Sequence, residues 1–325
     1  MTGTISSEDR VRFGGYRSAA AAFTLVLTSL MGGCAMDAQN APEEEIETAS
    51  DGITNATATP EPAYAIKIGG CSGSVISQHY ILTAGHCFGD SGTFNRTVRT
   101  GMNSEIVVYS GAVDVAVHPN FVNGAPYVEA WDIALVRLRN NGMGSGFPRI
   151  QIYAGPETPW TSSGGLFYIT GYGLGTDPGG AKDCAHADLG GIKRGANFAF
   201  RGEGVHEGST WFSVRGYSSL RTTCPGDSGA PYLLTRHGED FLFAVHRGST
   251  TEMPNGSVGG AMVQPKLAWI QARSADTLGL PLTCGLVRDH RVTPEVHFYN
   301  CTERPPPPVV HGIDDIPTGV FEAAP

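Results

Sequence analysis

From Ile53 to Gly279 the chain is a succession of short runs of β-branched and apolar residues, each broken by glycine, proline, asparagine or aspartate. The runs in "AYAIKIGG", "CSGSVISQHYILTAGHC", "SEIVVYSGAVDVAVHPNF", "WDIALVRL", "GLFYITGYG", "APYLLTR" and "DFLFAVHRG" read as strands, and turn residues stand between them. Many short strands at such spacing restrict the fold to an all-β sandwich or barrel. The 44 glycines and the low charged fraction, 16% of 325 residues, fit a turn-rich β protein better than a helical one. One helix is predicted, over "QPKLAWIQARSADTLG", with a proline near its start and Gly279 closing it. No internal repeat is present.

A net charge of −9 and the absence of any basic run argue against a nucleic-acid partner. At the N-terminus, Arg10, Arg12 and Arg17 precede "AAAAFTLVLTSLMGGC". That apolar run is too short for a comfortable membrane span and ends in small residues, which reads as an export signal over residues 1–33. Met31-Gly32-Gly33-Cys34 resembles the bacterial lipobox, which implies lipidation of Cys34, a membrane anchor and a place in the cell envelope, with release to the medium as a further outcome. An ordinary signal peptide cut nearby is the alternative. On either reading the chain is exported, and the six cysteines besides Cys34 are free to form disulfides. Residues 34–52 are acidic and nearly free of large apolar side chains, as expected of a tether or propeptide. Residues 53–279 form the main domain, and residues 280–325 form an extension containing the proline run "ERPPPPVV". No cofactor or metal is expected, because "GYGLGTDPGG" lacks the dinucleotide-binding spacing and no Cys/His spacing fits zinc.

The stretch "TTCPGDSGAPY", residues 222–232, places Ser228 between Asp227 and Gly229 in a tight turn. Glycines on both sides suit a nucleophile loop, since they permit a backbone that exposes the hydroxyl and aims amides at a developing oxyanion. Such a serine needs a base and an orienting carboxylate. "ILTAGHC" ends an apolar strand at His86, and "WDIALVRL" sets Asp132 in an apolar run, where an acid is costly unless something donates to it. An imidazole N–H is a suitable donor. The roles follow: Ser228 attacks, His86 takes its proton, Asp132 fixes the tautomer, and the amides of Gly226 and Ser228 form the oxyanion hole.

The order His86, Asp132, Ser228, with "TAGHC", "WDIALVRL" and "CPGDSGAP", resembles the chymotrypsin-like serine endopeptidases. "CSGSVIS", "VHPNF" and "GYG" extend the resemblance, and Gly85 and Ala230 depart from it mildly. It implies two six-stranded antiparallel β-barrels with the active site between them, and a polypeptide substrate. The position where trypsin-like members carry an acid is Thr222, so cleavage after Lys or Arg is disfavoured. Thr222, Thr223, His246 and Gly248 are the expected substrate-binding residues. Thr223 and His246 resemble the threonine and histidine by which glutamyl endopeptidases hold a substrate carboxylate. In the alternative register His246 stands where most relatives have a serine contacting the triad aspartate. Specificity for small or apolar residues, or a catalytically quiet binding protein on the cell surface, are the alternative functions. The resemblance further implies a Cys71–Cys87 bridge. The usual partner of Cys224 is missing, so Cys184 is its expected partner, leaving Cys284 to pair with Cys301. It also implies a zymogen, in which an activating protease cuts after Gly52 and the new amine of Ile53 pairs with Asp227.

Overall fold

The computed structural model describes Ile53 and residues 56–122, 130–155, 165–175, 184, 191–200, 213–218, 221–248, 258–289 and 296–303. The strands in chain order are β1 (Thr57–Ala58), β2 (Ala65–Ile68), β3 (Cys71–Val75), β4 (Tyr80–Thr83), β5 (Gly92–Thr100), β6 (Ile106–Val117), β7 (Ala134–Leu138) and β8 (Gln151–Tyr153). They continue with β9 (Leu166–Gly171), β10 (Arg194–Phe200), β11 (Ser213–Tyr217), β12 (Pro231–Arg236), β13 (Glu239–Gly248) and β14 (Val258–Met262). After helix α1 (Leu267–Asp276) come β15 (Leu282–Asp289) and β16 (Val296–Glu303).

The first six long strands close an antiparallel barrel in the order β2-β3-β4-β7-β6-β5. The second half forms another ring: β12 pairs with β9, β9 with β10, β10 with β11, β11 with β14, β14 with β13, and β13 returns to β12. All six pairings are antiparallel.

Side-chain alternation explains why the strands nearest the middle read as unbroken apolar runs. On β4, Ile81 enters the core of the first barrel, while Tyr80 and Leu82 face a separate apolar layer. On β7, Val136 and Leu138 face the barrel core and Leu135 the layer. The second barrel supplies Leu233 of β12 and Leu242 and Val245 of β13 to that same layer, while Tyr232, Leu234, Phe241 and Phe243 fill its own core. Strands buried on both faces lose the polar alternation of a half-exposed sheet. Each such aliphatic side chain contributes ~1.5–3 kcal/mol on burial. The loops bearing His86, Asp132 and Ser228 adjoin β4, β7 and β12, so the strands that share the layer also fix the three side chains.

The predicted helix is shorter than the sequence pattern. Pro265 starts a tight turn over Gln264–Lys266, and the α-helical part runs from Leu267 to Asp276, burying Leu267 and Ile270 against the middle layer, while the buried Ser274 hydroxyl accepts the Leu282 amide. Gly279 follows with φ of +67°.

The boundary set at Gly279 is not a structural break. β15 and β16 form an antiparallel hairpin with Cys284 opposite Cys301. β16 pairs with β8, which runs parallel to β13, so the extension is built into the sheet of the second barrel. At its end Glu303 reaches the first barrel. Its carboxylate accepts from the Ser77 hydroxyl at 2.5 Å and the His79 amide at 2.7 Å, and it pairs with His79 Nδ1 at 2.7 Å. The proline run and the tail after Glu303 lie outside the described residues, as do residues 1–52 with Cys34.

Candidate active site

β4 ends at Thr83, and a single turn over Gly85–Cys87 carries His86 outward. The polypeptide entering β7 sets Asp132 opposite it, with the residue wholly buried. Asp132 Oδ1 accepts the His86 amide at 2.8 Å, and Oδ2 lies 2.6 Å from His86 Nδ1. A carboxylate only accepts, so Nδ1 carries the proton and Nε2 is left as an acceptor. Nε2 lies 2.8 Å from Ser228 Oγ. The chain of contacts can therefore pass a proton from the hydroxyl to the imidazole, and 32% exposure of the His86 side chain leaves it accessible from the cleft.

The loop bearing Ser228 has little room. Gly229 has φ of +86°, and a Cβ there would come within 2.2 Å of Ser72 O and Thr83 Oγ1. Gly226 has φ of +99° and lies against Gly173, leaving no place for a side chain. Ser72 ties this loop down: its amide donates to Ser228 O at 2.8 Å and its hydroxyl to Gly226 O at 2.9 Å. The Tyr172 amide in turn donates to Ser72 Oγ at 2.9 Å. Among the described residues the amides of Gly226 and Ser228 make no hydrogen bond, so both remain available to an oxyanion.

Asp227 points inward from the same loop. Its carboxylate accepts the amides of Cys224 at 2.9 Å and Gly173 at 2.9 Å, and the backbone nitrogen of the buried Ile53 at 3.1 Å. Burial pushes its pKa up to about 6, against the opposing pull of the amides of Cys224, Gly173 and Ile53.

Of the expected substrate-binding residues, Thr223 and His246 are fully buried, whereas Thr222 and Gly248 are partly exposed. His246 Nδ1 lies 3.1 Å from the Tyr232 hydroxyl. Burial, with His86 nearby, pulls its pKa down to about 3, so the ring is neutral. The alternative register is corrected: the residue beside the triad aspartate is Arg247, whose Nε lies 3.3 Å from Asp132 Oδ2. The β13–β14 ladder shifts register between His246 and Gly248, so Arg247 is passed over in the pairing; His246 turns toward Tyr232 and Arg247 toward Asp132. The roles of Ser72, Tyr172 and Arg247 were missed in the sequence. The motifs "CSGSVIS", "GYG" and "AVHRGS" contain them, but only the third dimension shows what they touch.

Among the described residues three disulfides are present: Cys71–Cys87 beside His86, Cys184–Cys224 at the loop bearing Ser228, and Cys284–Cys301 in the terminal hairpin. The first fixes the turn bearing the imidazole to β3, and the second anchors the approach to Ser228.

Comparison with known proteins agrees with this architecture. The sequence profile described as Trypsin matches residues 52–270. Chymotrypsin-like elastase family member 1 of Felis catus is 26% identical over 186 residues, covering 54% of this chain and 65% of the relative. Chymotrypsin-like elastase family member 3B of Homo sapiens is 30% identical over 195 residues, again with 54% and 65% covered. The chain thus spans about 65% of the length of these curated relatives. A solved structure described as HL collagenase shares the fold, with a TM-score of 0.50 at 20% identity, over 68% of this chain and 96% of that one. With the profile matched over well over half its length, this chain belongs to the trypsin family of chymotrypsin-like serine proteases.

Proposed function

We propose that the protein is an exported serine endopeptidase. The observation that carries this reading is the continuous relay Asp132–His86–Ser228, with contacts of 2.6 and 2.8 Å, next to two unspent amides. Ser228 Oγ attacks the scissile carbonyl as its proton passes to His86 Nε2, and the tetrahedral oxyanion takes hydrogen bonds from the amides of Gly226 and Ser228. The imidazolium then protonates the leaving amine. Water, activated by the same imidazole, hydrolyses the acyl-enzyme and restores the hydroxyl.

Specificity for Glu or Asp before the cut is supported by Thr223, by His246 and by the lack of an acid at Thr222. A second reading, preference for small or apolar residues, is favoured by the likeness to proteins named elastases. Activation by a cut after Gly52 is supported by the contact between Ile53 N and Asp227. The lipobox-like Met31–Cys34 supports anchoring to the bacterial envelope before that cut. The acidic tether holds no cysteine besides Cys34, so the cut would free the enzyme.

The test is to cleave the purified chain after Gly52 and profile it on a peptide library. The Ser228→Ala variant is expected to lose about a million-fold in turnover and keep its fold. Normal turnover by that variant would refute the mechanism. A profile dominated by Lys, Arg or Phe before the cut would refute acidic specificity alone.

A further inference from the structure

We propose that Arg247 is a positioning residue for the Asp132–His86 pair and that its charge sets how far into acid the enzyme stays active. This rests on the peptidase reading. Arg247 Nε lies 3.3 Å from Asp132 Oδ2, the same oxygen that faces His86 Nδ1 at 2.6 Å. Asp132 is fully buried and the Arg247 side chain is 18% exposed, so water screens the pair weakly. Among the described residues Arg247 makes no other ion pair.

The backbone of the same residue reaches the other end of the relay. Ser228 Oγ donates to Arg247 O at 3.1 Å, in competition with His86 Nε2 at 2.8 Å for its single proton. β13 holds this carbonyl in place, because the His246 amide donates to Ala230 O and His246 O accepts from the Gly229 amide. Residue 247 therefore touches the first and last members of the relay.

The other titratable groups around the pair leave the effect readable. His246, its neighbour on β13, is pulled down to about 3 by burial and by His86. His118, after β6, stacks on Trp131 and is pulled down to about 4, mainly by burial, with Lys266 and Arg273 adding to it. Neither charges in the neutral range. Lys266, preceding α1, sits over the Trp131 ring and donates to Met262 O. Asp227, next to Ser228, is buried on its own amides and on Ile53 and is pushed up to about 6 by burial, so it changes charge in the same range; the NMR signal of the His86 ring separates the two.

A guanidinium on the carboxylate that supports His86 disfavours the imidazolium. It holds the base neutral to lower pH, and in return weakens the stabilisation of the imidazolium formed during attack.

The experiment uses the chain cut after Gly52. The His86 imidazole is titrated by NMR in the Ser228→Ala background, with and without Arg247→Gln or Arg247→Lys. The acid limb of kcat/KM is measured in the same Arg247 variants with Ser228 intact. The expected result is a rise of about half to one pH unit in both midpoints for Arg247→Gln, and little change for Arg247→Lys, which keeps the charge. A midpoint for Arg247→Gln equal to that of the parent would overturn the proposal. Arg247→Met, which also removes the charge, serves if the glutamine variant does not fold and is read by the same criterion. The NMR titration does not depend on turnover. An inactive parent would count against the peptidase reading and leave the charge effect on His86 measured.

Discussion

The backbone nitrogen of Ile53 donates to Oδ2 of Asp227 across 3.1 Å, joining residues 174 positions apart in the wall of the nucleophile loop. Among the described residues that carboxylate has three N–H partners and no ion pair with a cation. A cut after Gly52 would turn one partner from an amide into an ammonium ion.

The stability of the intact and cut chains should therefore respond differently to pH. The carboxyl of Asp227 is pushed from 3.8 to about 6 by burial, so the folded intact chain favours its protonated form. Stability of the intact chain is then highest below the unfolded value and falls as pH rises through about 6, by an amount on the order of a few kcal/mol. In the cut chain the ammonium of Ile53 compensates the carboxylate, and this loss should shrink. Denaturant unfolding of the Ser228→Ala protein, intact and cut, between about pH 4 and 7 checks it. Parallel curves would contradict the idea.

Asp227→Asn should remove the partner of the new terminus without touching the relay. The expected outcome is a fall in kcat of about a hundredfold, comparable to loss of an oxyanion donor, while the secondary structure stays close to that of the parent. Circular dichroism together with kcat of the cut chain reads both.

His246→Ala should act selectively. If the imidazole helps hold a substrate carboxylate, kcat/KM for Glu-containing peptides falls by about tenfold or more, and that for the matching Gln peptides changes far less. Equal losses on both peptides would reduce His246 to a packing role beside Tyr232.

Glu303→Gln should weaken the grip of the terminal hairpin on the first barrel. Burial raises the pKa of this carboxyl, but the hydrogen bonds from Ser77 and His79 outweigh burial and hold it below the ordinary value. The variant is expected to lose about 1–3 kcal/mol near neutral pH. A depressed carboxyl stabilises above its unfolded pKa, so the difference from the parent should close as pH falls through the acid range. Unfolding curves at two pH values measure it.

Much of this architecture was legible in the sequence because the chemistry leaves local marks. "TAGHC", "WDIALVRL" and "CPGDSGAP" each fall beside a strand buried on both faces, and such strands show as dense apolar runs. β14 escaped because "VGGAM" has little apolar bulk. Gly260 has to be bare there, since a Cβ would meet Val245 O at 2.4 Å. The β15–β16 hairpin escaped because the alternation of β15 lasts only from Leu282 to Gly285 and the strand is largely exposed beyond it. Arg247 escaped for a different reason. The face to which each residue of "AVHRGS" turns depends on the register of β13, and a one-residue shift exchanges His246 and Arg247.

The most direct test of the central claim is covalent labelling of the cut chain with a fluorophosphonate, followed by peptide mass spectrometry. The account predicts a single phosphonyl adduct on Ser228, formed rapidly in the folded protein and strongly slowed in His86→Ala. Absence of an adduct on Ser228, or labelling at the same rate without His86, would contradict it.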